Sequence, residues 1–310
     1  MRVALSGCII ARNDATRIKS CIESLTAVAT EIVVVDTGST DETANIARSA
    51  GARVESFPWC DDFAAARNYS LSLAREKWIV VIDTNEVLAP EQGALLGMLT
   101  ESMQQLAYRC RIRNALPDGN EFVSYVSRLF RNDPRIRFTG RVHEQIEPSL
   151  AVFGAAPAPC ELTILHTGYA VDPATNRAKA ERNLRGLLRD LEDQPSDRFL
   201  ALKVGQLYTT LGQHDRALDY LTRGASTTAP TLAAEAYNSI AGIRASRGEY
   251  ELALRACAES ITRIPQQRMG YVIISQILTA LGRHADAAAQ LQVARSIVGP
   301  TALATDLPEL

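Results

Sequence analysis

The sequence contains no long hydrophobic run, no closely spaced pair of cysteines and no excess of one charge sign. No stretch approaches the ~18 apolar residues of a transmembrane helix, so we expect no membrane span. Lysine and arginine number 33 against 35 acidic residues, which gives a net charge of −2 and a pI of about 6.1. Because proteins that bind phosphate backbones usually carry a strong basic excess, we do not expect nucleic acid as a partner.

Six cysteines are present, but no two of them form a CxxC pair. Zinc sites and redox motifs use such closely spaced ligands, and disulfide frameworks are typical of small secreted chains. We therefore predict reduced thiols and a cytoplasmic location. With 310 residues, 46% of them hydrophobic, the chain is long enough for two globular domains.

Two apolar runs in the first ninety residues each end on an aspartate. Residues 32–35 precede Asp36, and residues 78–82 precede Asp83. Runs without polar alternation are typical of strands that are buried on both faces of a parallel sheet. Ligands of such sheets bind outside the carboxyl ends of the strands. The sequence therefore predicts a binding site for a polar ligand at this edge.

The first half of the chain alternates between strand and helix patterns. We predict strands at 3–10, 32–35, 53–55 and 78–82, and helices after 14, from Ser39 or Thr40 to Gly51, and from 64 to about 76. This order predicts a doubly wound α/β sheet. Further strands are predicted at 106–113 and 121–131, joined by a turn at 117–120, and at 162–166.

The second half is helical and repetitive. Gly212, Gly248 and Gly282 are 36 and 34 residues apart (248 − 212 and 282 − 248), and an alanine follows each glycine by five residues. Prolines 230, 265 and 300 recur every 35 residues. This period is typical of tetratricopeptide repeats, in which two antiparallel helices form each unit. We predict a first domain over 1–172, then a helical linker and three repeats over 173–303; a generic helical bundle is the alternative.

Six stretches of the first domain resemble family 2 glycosyltransferases of the GT-A fold, in particular bacterial members with C-terminal tetratricopeptide repeats. They are residues 9–14 (IIARND), 31–41 (EIVVVDTGSTD), 57–68 (FPWCDDFAAARN), 78–86 (WIVVIDTNE), 141–146 (RVHEQI) and 165–169 (LHTGY). The resemblance implies transfer of a sugar from a nucleotide sugar, here expected to be a UDP-sugar, to an acceptor with inversion of the anomeric centre.

The resemblance also implies which residues bind the nucleotide sugar. Asp36 is expected to accept hydrogen bonds from uracil or ribose, and Arg67 to offset charge on the diphosphate. A surface ion pair with Asp61 or Asp62 is the alternative for Arg67. The full expected set is Ala11, Arg12, Asn13, Asp36, Gly38, Arg67, Asp83 and Thr84.

The metal-binding motif of the family departs from its usual pattern in this chain. The third position of the motif that begins at Asp83 is Asn85 instead of aspartate, which removes one negative charge. The resemblance implies Mg²⁺ or Mn²⁺ bound by Asp83, Asn85 and His166. Three outcomes are open: weakened metal binding, which we expect, compensation by Glu86, or loss of turnover.

Glu144 lies where the family places its catalytic base, which takes the proton of the acceptor. The alternative for Glu144 is an ion pair with Arg141. We predict a glycosyltransferase whose repeats hold a polypeptide acceptor, because repeat stacks have concave faces suited to peptides; homodimerisation is another use of such repeats. A catalytically impaired scaffold is the alternative function. A nucleotidyltransferase is disfavoured because residues 11–14 lack a glycine-rich phosphate loop.

Overall fold

The computed structural model describes residues 2–115, 121–166 and 173–297. The chain divides into two compact units, Met1–Asp172 and Pro173–Leu310. None of the described helices is both long and apolar enough to cross a membrane.

The N-terminal unit contains one mixed sheet flanked by helices. Its strands are β1 (Val3–Ala11), β2 (Ala29–Asp36), β3 (Arg53–Ser56), β4 (Trp78–Val81), β5 (Glu86–Leu88), β6 (Ala107–Ala115), β7 (Glu121–Arg131) and β8 (Ala158–His166). Its helices are α1 (Ile18–Thr26), α2 (Thr43–Ser49), α3 (Phe63–Leu73), α4 (Gly93–Glu101) and α5 (Glu147–Ala151).

The strand order is β3-β2-β1-β4-β7-β6-β8-β5. The first four strands are parallel, and β7 joins β4 in antiparallel orientation. Val33 to Val35 and Trp78 to Ile82 are buried because hydrophobic clusters cover both faces of this half. The predicted α/β class of the first domain is confirmed.

Helix α1 also agrees with its sequence pattern, whereas α2 does not. Ile18, Cys21, Ile22 and Leu25 of α1 are all fully buried. Helix α2 begins at Thr43, so the prediction that Ser39 or Thr40 caps it was wrong. The hydroxyl of Ser39 accepts from the backbone N–H of Asn13 instead (3.0 Å), because this segment packs on the loop after β1.

The second part of the sheet was predicted only in part. Strands β6 and β7 pair as the expected antiparallel hairpin, whose predicted turn at 117–120 lies outside the described residues. Strand β5 and helix α4 were missed. A strand of three residues is too short to display a period, and its place in the sheet depends on pairing with β8, far away in sequence.

The C-terminal unit is a succession of helices. They are α6 (Pro173–Asp193), α7 (Arg198–Thr210), α8 (His214–Ala225), α9 (Pro230–Ser246), α10 (Tyr250–Arg263), α11 (Met269–Ala280) and α12 (His284–Ser296). Gly212, Gly248 and Gly282 lie between paired helices with φ of 73°, 74° and 74°, which favours glycine. The alanines five residues later are buried. The predicted all-α class of the second domain is therefore confirmed, while the division into three repeats stays a prediction; Pro300 lies outside the described residues.

Candidate active site

The two strand-end aspartates lie at the same edge of the sheet, which we call the carboxyl edge. Strand β1 separates them, because it pairs with β2 on one side and β4 on the other. Asp36 is opposite Ala11, and Asp83 follows β4 by two residues. Because one strand lies between Asp36 and Asp83, two strand-to-strand distances separate them, which is about 10 Å. Among the described residues, Asp36 is hydrogen-bonded locally to Ser39, whereas Asp83 contacts distant side chains.

Asp83 accepts hydrogen bonds from two arginines. Its Oδ1 accepts from Arg67 Nη2 (2.7 Å), and its Oδ2 accepts from Arg128 Nη2 (2.8 Å). Burial alone would raise the pKa of Asp83, but the guanidinium groups of Arg128 and Arg67 outweigh it and hold that pKa well below its usual range. Asp83 is therefore an ionised carboxylate whose two oxygens are both engaged.

The arginines extend this contact into a longer ion-pair chain, formed by Glu144, Arg67, Asp83, Arg128 and Glu86. Arg67 Nε donates to Glu144 Oε1, and Arg128 Nη2 donates to Glu86 Oε1 (2.8 Å). Asp83 is the most exposed member, at 33% of its side chain, while Arg67 is only 7% exposed. The alternative of a surface ion pair between Arg67 and Asp61 or Asp62 is therefore wrong. The ion-pair chain instead joins Glu144, the predicted base, to Asp83.

Arg128 had no sequence signal, and a β-bulge explains its position. Tyr108 and Arg109 are consecutive on β6, yet they pair with Leu129 and Ser127 on β7. Arg128 is consequently an extra residue in β7, and bulges of this kind redirect a side chain from the regular alternation. Neither the bulge nor the pairing of β7 with β4 can be inferred from the local sequence.

Glu86 closes a tight turn after β4. Its Oε2 accepts from the backbone N–H of Asp83 (2.8 Å), and its own N–H donates to the carbonyl of Asp83 (2.9 Å). Burial raises the pKa of Glu86, against the lowering effect of Arg128. Because both carboxylate oxygens bind within this turn and to Arg128, Glu86 is not arranged to compensate for Asn85 as a metal ligand.

The three predicted metal ligands divide into two places. Strand β5 pairs with β8 so that Glu86 is opposite His166, which brings Asn85 Nδ2 to 2.9 Å from His166 Nε2. Asp83 instead faces two guanidinium groups. The residues therefore do not fit around one cation in this arrangement, and no group of three His, Cys, Asp or Glu suited to a metal occurs in the described part of the chain.

The loops after β1 and β2 are joined by hydrogen bonds at the predicted nucleotide site. Asn13 Oδ1 accepts from the N–H of Thr40 (2.8 Å), and the carbonyl of Ala11 accepts from the N–H of Thr37 (2.9 Å). Gly38 has φ of 103°, which only glycine adopts readily. Arg12 is exposed beside them.

Asp14 connects this region to the loop after β4, and sequence reasoning assigned it no role. Its Oδ2 accepts from Thr84 Oγ1 (2.8 Å), and its N–H donates to Thr43 Oγ1 (2.7 Å). Asp14 therefore links the loop after β1 to the loop after β4 and to the start of α2. Its signals in the sequence were its place after a predicted strand and at the end of the stretch 9–14.

Glu144 lies in a short loop, the 139–145 loop. Thr139 and Gln145 close it by two backbone hydrogen bonds of 2.9 and 3.0 Å. Gly140 and His143 both have positive φ, 93° and 57°, the second in a conformation that L residues rarely adopt. The loop thus holds Glu144 towards Arg67 of helix α3.

Comparisons with known proteins agree with this architecture. Residues 6–142 match the model of the family described as "Glycosyl transferase family 2". A TPR repeat-containing protein of Synechococcus elongatus is 35% identical over 226 residues, covering 71% of this chain and 56% of that protein. The SPbeta prophage-derived glycosyltransferase SunS of Bacillus subtilis is 26% identical over 221 residues, covering 69% of this chain and 51% of SunS. The chain thus spans about half the length of these relatives.

Among solved structures, mannosyl-3-phosphoglycerate synthase from Rubrobacter xylanophilus aligns with a TM-score of 0.45 and 18% sequence identity. The alignment covers 62% of this chain and 74% of that one.

Proposed function

Residues 6–142 belong to glycosyl transferase family 2, and from that premise we propose that the chain transfers a sugar from a UDP-sugar to an acceptor with inversion of the anomeric centre. The ion-pair chain carries this proposal, because it connects an ionised carboxylate at the carboxyl edge to a second carboxylate, Glu144. Displacement of UDP by the acceptor requires a place for the donor and a carboxylate that takes the acceptor proton, and the two ends of this contact would supply them.

The donor would lie along the carboxyl edge. Asp36 and the joined loops around Asn13 and Gly38 would bind uracil and ribose, with Ala11 and Arg12 beside them. The diphosphate would lie near Asp83, Thr84 and Arg67. The separation of about 10 Å between the aspartates suits a ligand with a nucleoside at one end and a diphosphate at the other.

Glu144 would act as the base. The acceptor atom loses its proton to the Glu144 carboxylate as it forms a bond to the anomeric carbon. The bond from that carbon to the diphosphate breaks on the opposite side, and UDP leaves with the electron pair. The ion pair with Arg67 keeps Glu144 oriented before the acceptor arrives.

Release of UDP tests the proposal. The chain would be incubated with a panel of UDP-sugars in the presence of Mn²⁺, and UDP formation and the melting temperature would be followed. We expect release with at least one donor and a higher melting temperature with UDP. If no donor releases UDP and UDP leaves the melting temperature unchanged, the second candidate, a scaffold with an impaired transferase domain, is favoured. The observation behind that candidate is Asn85 in the metal motif.

A divalent cation, Mg²⁺ or Mn²⁺, belongs to this proposal as an expected partner of the diphosphate, although Asp83, Asn85 and His166 do not surround one cation in the present arrangement. We derive no chemical step through it. Asn85 and His166 remain the residues to test, because their side chains meet at 2.9 Å.

Replacing Asn85 by aspartate is expected to strengthen Mn²⁺ binding about tenfold, since the change places a carboxylate beside an imidazole nitrogen. Titration of Mn²⁺ by calorimetry in the presence of UDP measures the effect. Asn45→Asp, on the exposed surface of α2, is the matched control, because it adds the same charge away from the site. Equal Mn²⁺ affinity in all three proteins would place Asn85 outside any metal site.

We further propose a polypeptide as the acceptor, bound by the repeats. Helices α7, α9 and α11 line a cavity of about 570 Å³, whose lining residues include Lys203, Glu235, Met269 and Ile273. Asn238, only 3% exposed, lies among its lining residues, and its Oδ1 has no hydrogen-bond partner within the described ranges. A buried acceptor without a donor is unfavourable, which supports a ligand that carries N–H groups.

The orientation of the Asn238 amide follows from its neighbours. Gln267 Oε1 accepts from the backbone N–H of Gly270 (2.9 Å) and from Asn238 Nδ2 (3.3 Å). Because that oxygen is an acceptor, Asn238 has to donate to it. The carbonyl of the Asn238 amide is therefore the group left for a ligand, and a peptide backbone N–H is its natural partner.

Asn238→Leu is expected to leave the chain as stable as before, or more so, and to weaken peptide binding by about 1–3 kcal/mol, or roughly fivefold to 150-fold. The probe is a peptide recovered from a random display library on the wild-type chain, and its Kd is measured by fluorescence anisotropy. Tyr271→Phe serves as the control, because the hydroxyl group of Tyr271 is hydrogen-bonded at the exposed end of α11. A peptide that binds Asn238→Leu as well as wild type contradicts this acceptor site.

A further inference from the structure

We infer that Asn68 is a positioning residue that fixes the 139–145 loop and, through it, the base Glu144. Asn68 Nδ2 donates to the carbonyl of Phe138 (2.9 Å), and Asn68 Oδ1 accepts from the N–H of the same residue (2.9 Å). The amide side chain therefore pairs with Phe138 as a neighbouring strand would. This inference rests on the proposed role of Glu144.

The pairing occurs immediately before the loop begins. Phe138 is buried, and its ring lies edge-on to Phe130 with centroids 5.9 Å apart. Its backbone has no strand partner of its own, since the only pairing of this segment in the described residues is the isolated bridge from Thr139 to Gln145. Asn68 satisfies both backbone groups of Phe138, so the entry to the loop is held at a defined place.

The loop needs such anchors because its own backbone is unfavourable. His143, directly before Glu144, has φ of 57°, a conformation that is unfavourable for a residue with a side chain. Helix α3 contributes three contacts that hold it: the N–H of Phe63 donates to the carbonyl of Arg141 (2.9 Å), Arg67 bonds Glu144, and Asn68 bonds Phe138. Of the two side chains in this set, Asn68 bonds neither Glu144 nor an aspartate of the carboxyl edge, whereas Arg67 bonds both.

Asn132 provides a matched control for Asn68. It is also half-buried, and its Nδ2 donates to two backbone carbonyls, those of Ala74 (3.0 Å) and Glu76 (2.9 Å). These contacts lie before β4, at the opposite end of the strand from Asp83. Asn68→Ala and Asn132→Ala each remove two side chain–backbone hydrogen bonds, so a merely structural role predicts the same effect for both.

We expect Asn68→Ala to lower kcat for UDP release about 10- to 100-fold while the donor KM and the Kd for UDP stay within twofold of wild type. Asn132→Ala should keep wild-type kcat despite a similar fall in melting temperature. Equal kcat values in the two variants, or an Asn68→Ala variant that loses UDP binding instead of kcat, would overturn the inference.

A double-mutant cycle shows whether Asn68 acts through Glu144. In a Glu144→Ala background, Asn68→Ala should change the residual rate less than twofold, because no base remains to be positioned. A further loss of tenfold or more there would assign Asn68 an independent role and overturn the inference. A wild-type chain that neither binds UDP nor releases it would instead contradict the proposed function, which the melting temperature with UDP detects separately.

Discussion

Replacing Glu144 by glutamine should lower the rate of UDP release about 10²- to 10⁴-fold. The amide keeps the shape of the side chain and still accepts from Arg67 Nε, but it cannot take the acceptor proton. The Kd for UDP should remain near that of wild type, because Glu144 lies on the acceptor side of the ion-pair chain. Steady-state UDP release and calorimetric titration with UDP measure the two quantities.

Glu147→Gln is the control for this variant. Glu147 is three residues further along the chain, accepts from Ser127 Oγ (2.7 Å), and is 29% exposed. It should retain most of the wild-type rate. If Glu144→Gln releases UDP within twofold of wild type, Glu144 is not the base, and another carboxylate at the site has to be sought.

Replacing Arg67 by methionine should lower the free energy of unfolding of the N-terminal unit by about 3–5 kcal/mol. The change removes one guanidinium from between two carboxylates and leaves Asp83 and Glu144 without that partner in a largely buried place. Urea unfolding followed by tryptophan fluorescence measures the loss. Both tryptophans, Trp59 and Trp78, belong to this unit, so the signal reports on it alone.

Two further variants separate charge from packing at Arg67. In the Glu144→Gln background, Arg67→Met should cost less than in wild type, because one stranded charge is already absent. Arg67→Lys keeps the charge but cannot reach both carboxylates with the planar geometry of a guanidinium. Its stability should therefore lie between that of wild type and that of Arg67→Met. A loss below 1 kcal/mol for Arg67→Met would contradict the ion-pair chain as a structural element.

The part of the fold that the sequence predicted best is the part with unbroken apolar strands. Residues 32–35 and 78–82 could only be buried on both faces, and the parallel order followed from the helices between the strands. Strand β5 and helix α4 escaped prediction for a different reason. Neither element has a hydrophobic period of its own. The position of β5 is defined by its pairing with β8, which begins some seventy residues later in the sequence.

The candidate site divides in the same way. Asp36 and Asp83 follow directly from strand ends, and Glu144 and Arg67 from the family resemblance. Arg128 could not be predicted, because its direction results from one extra residue in β7 relative to β6. Asn68 lay inside a quoted motif, but its partner is the backbone of Phe138, and backbone groups leave no trace in a sequence.

The Glu144–Glu86 ion-pair chain has an odd number of members, and the imbalance has an energetic consequence. Two positive groups alternate with three negative ones, which leaves a formal charge of −1 when every carboxylate is ionised. An incoming diphosphate is itself an anion, so its arrival alone would increase the local repulsion. We therefore expect the affinity for the proposed donor to be thermodynamically linked to the uptake of a counter-charge, either a proton or a cation, and to rise in a medium that supplies one.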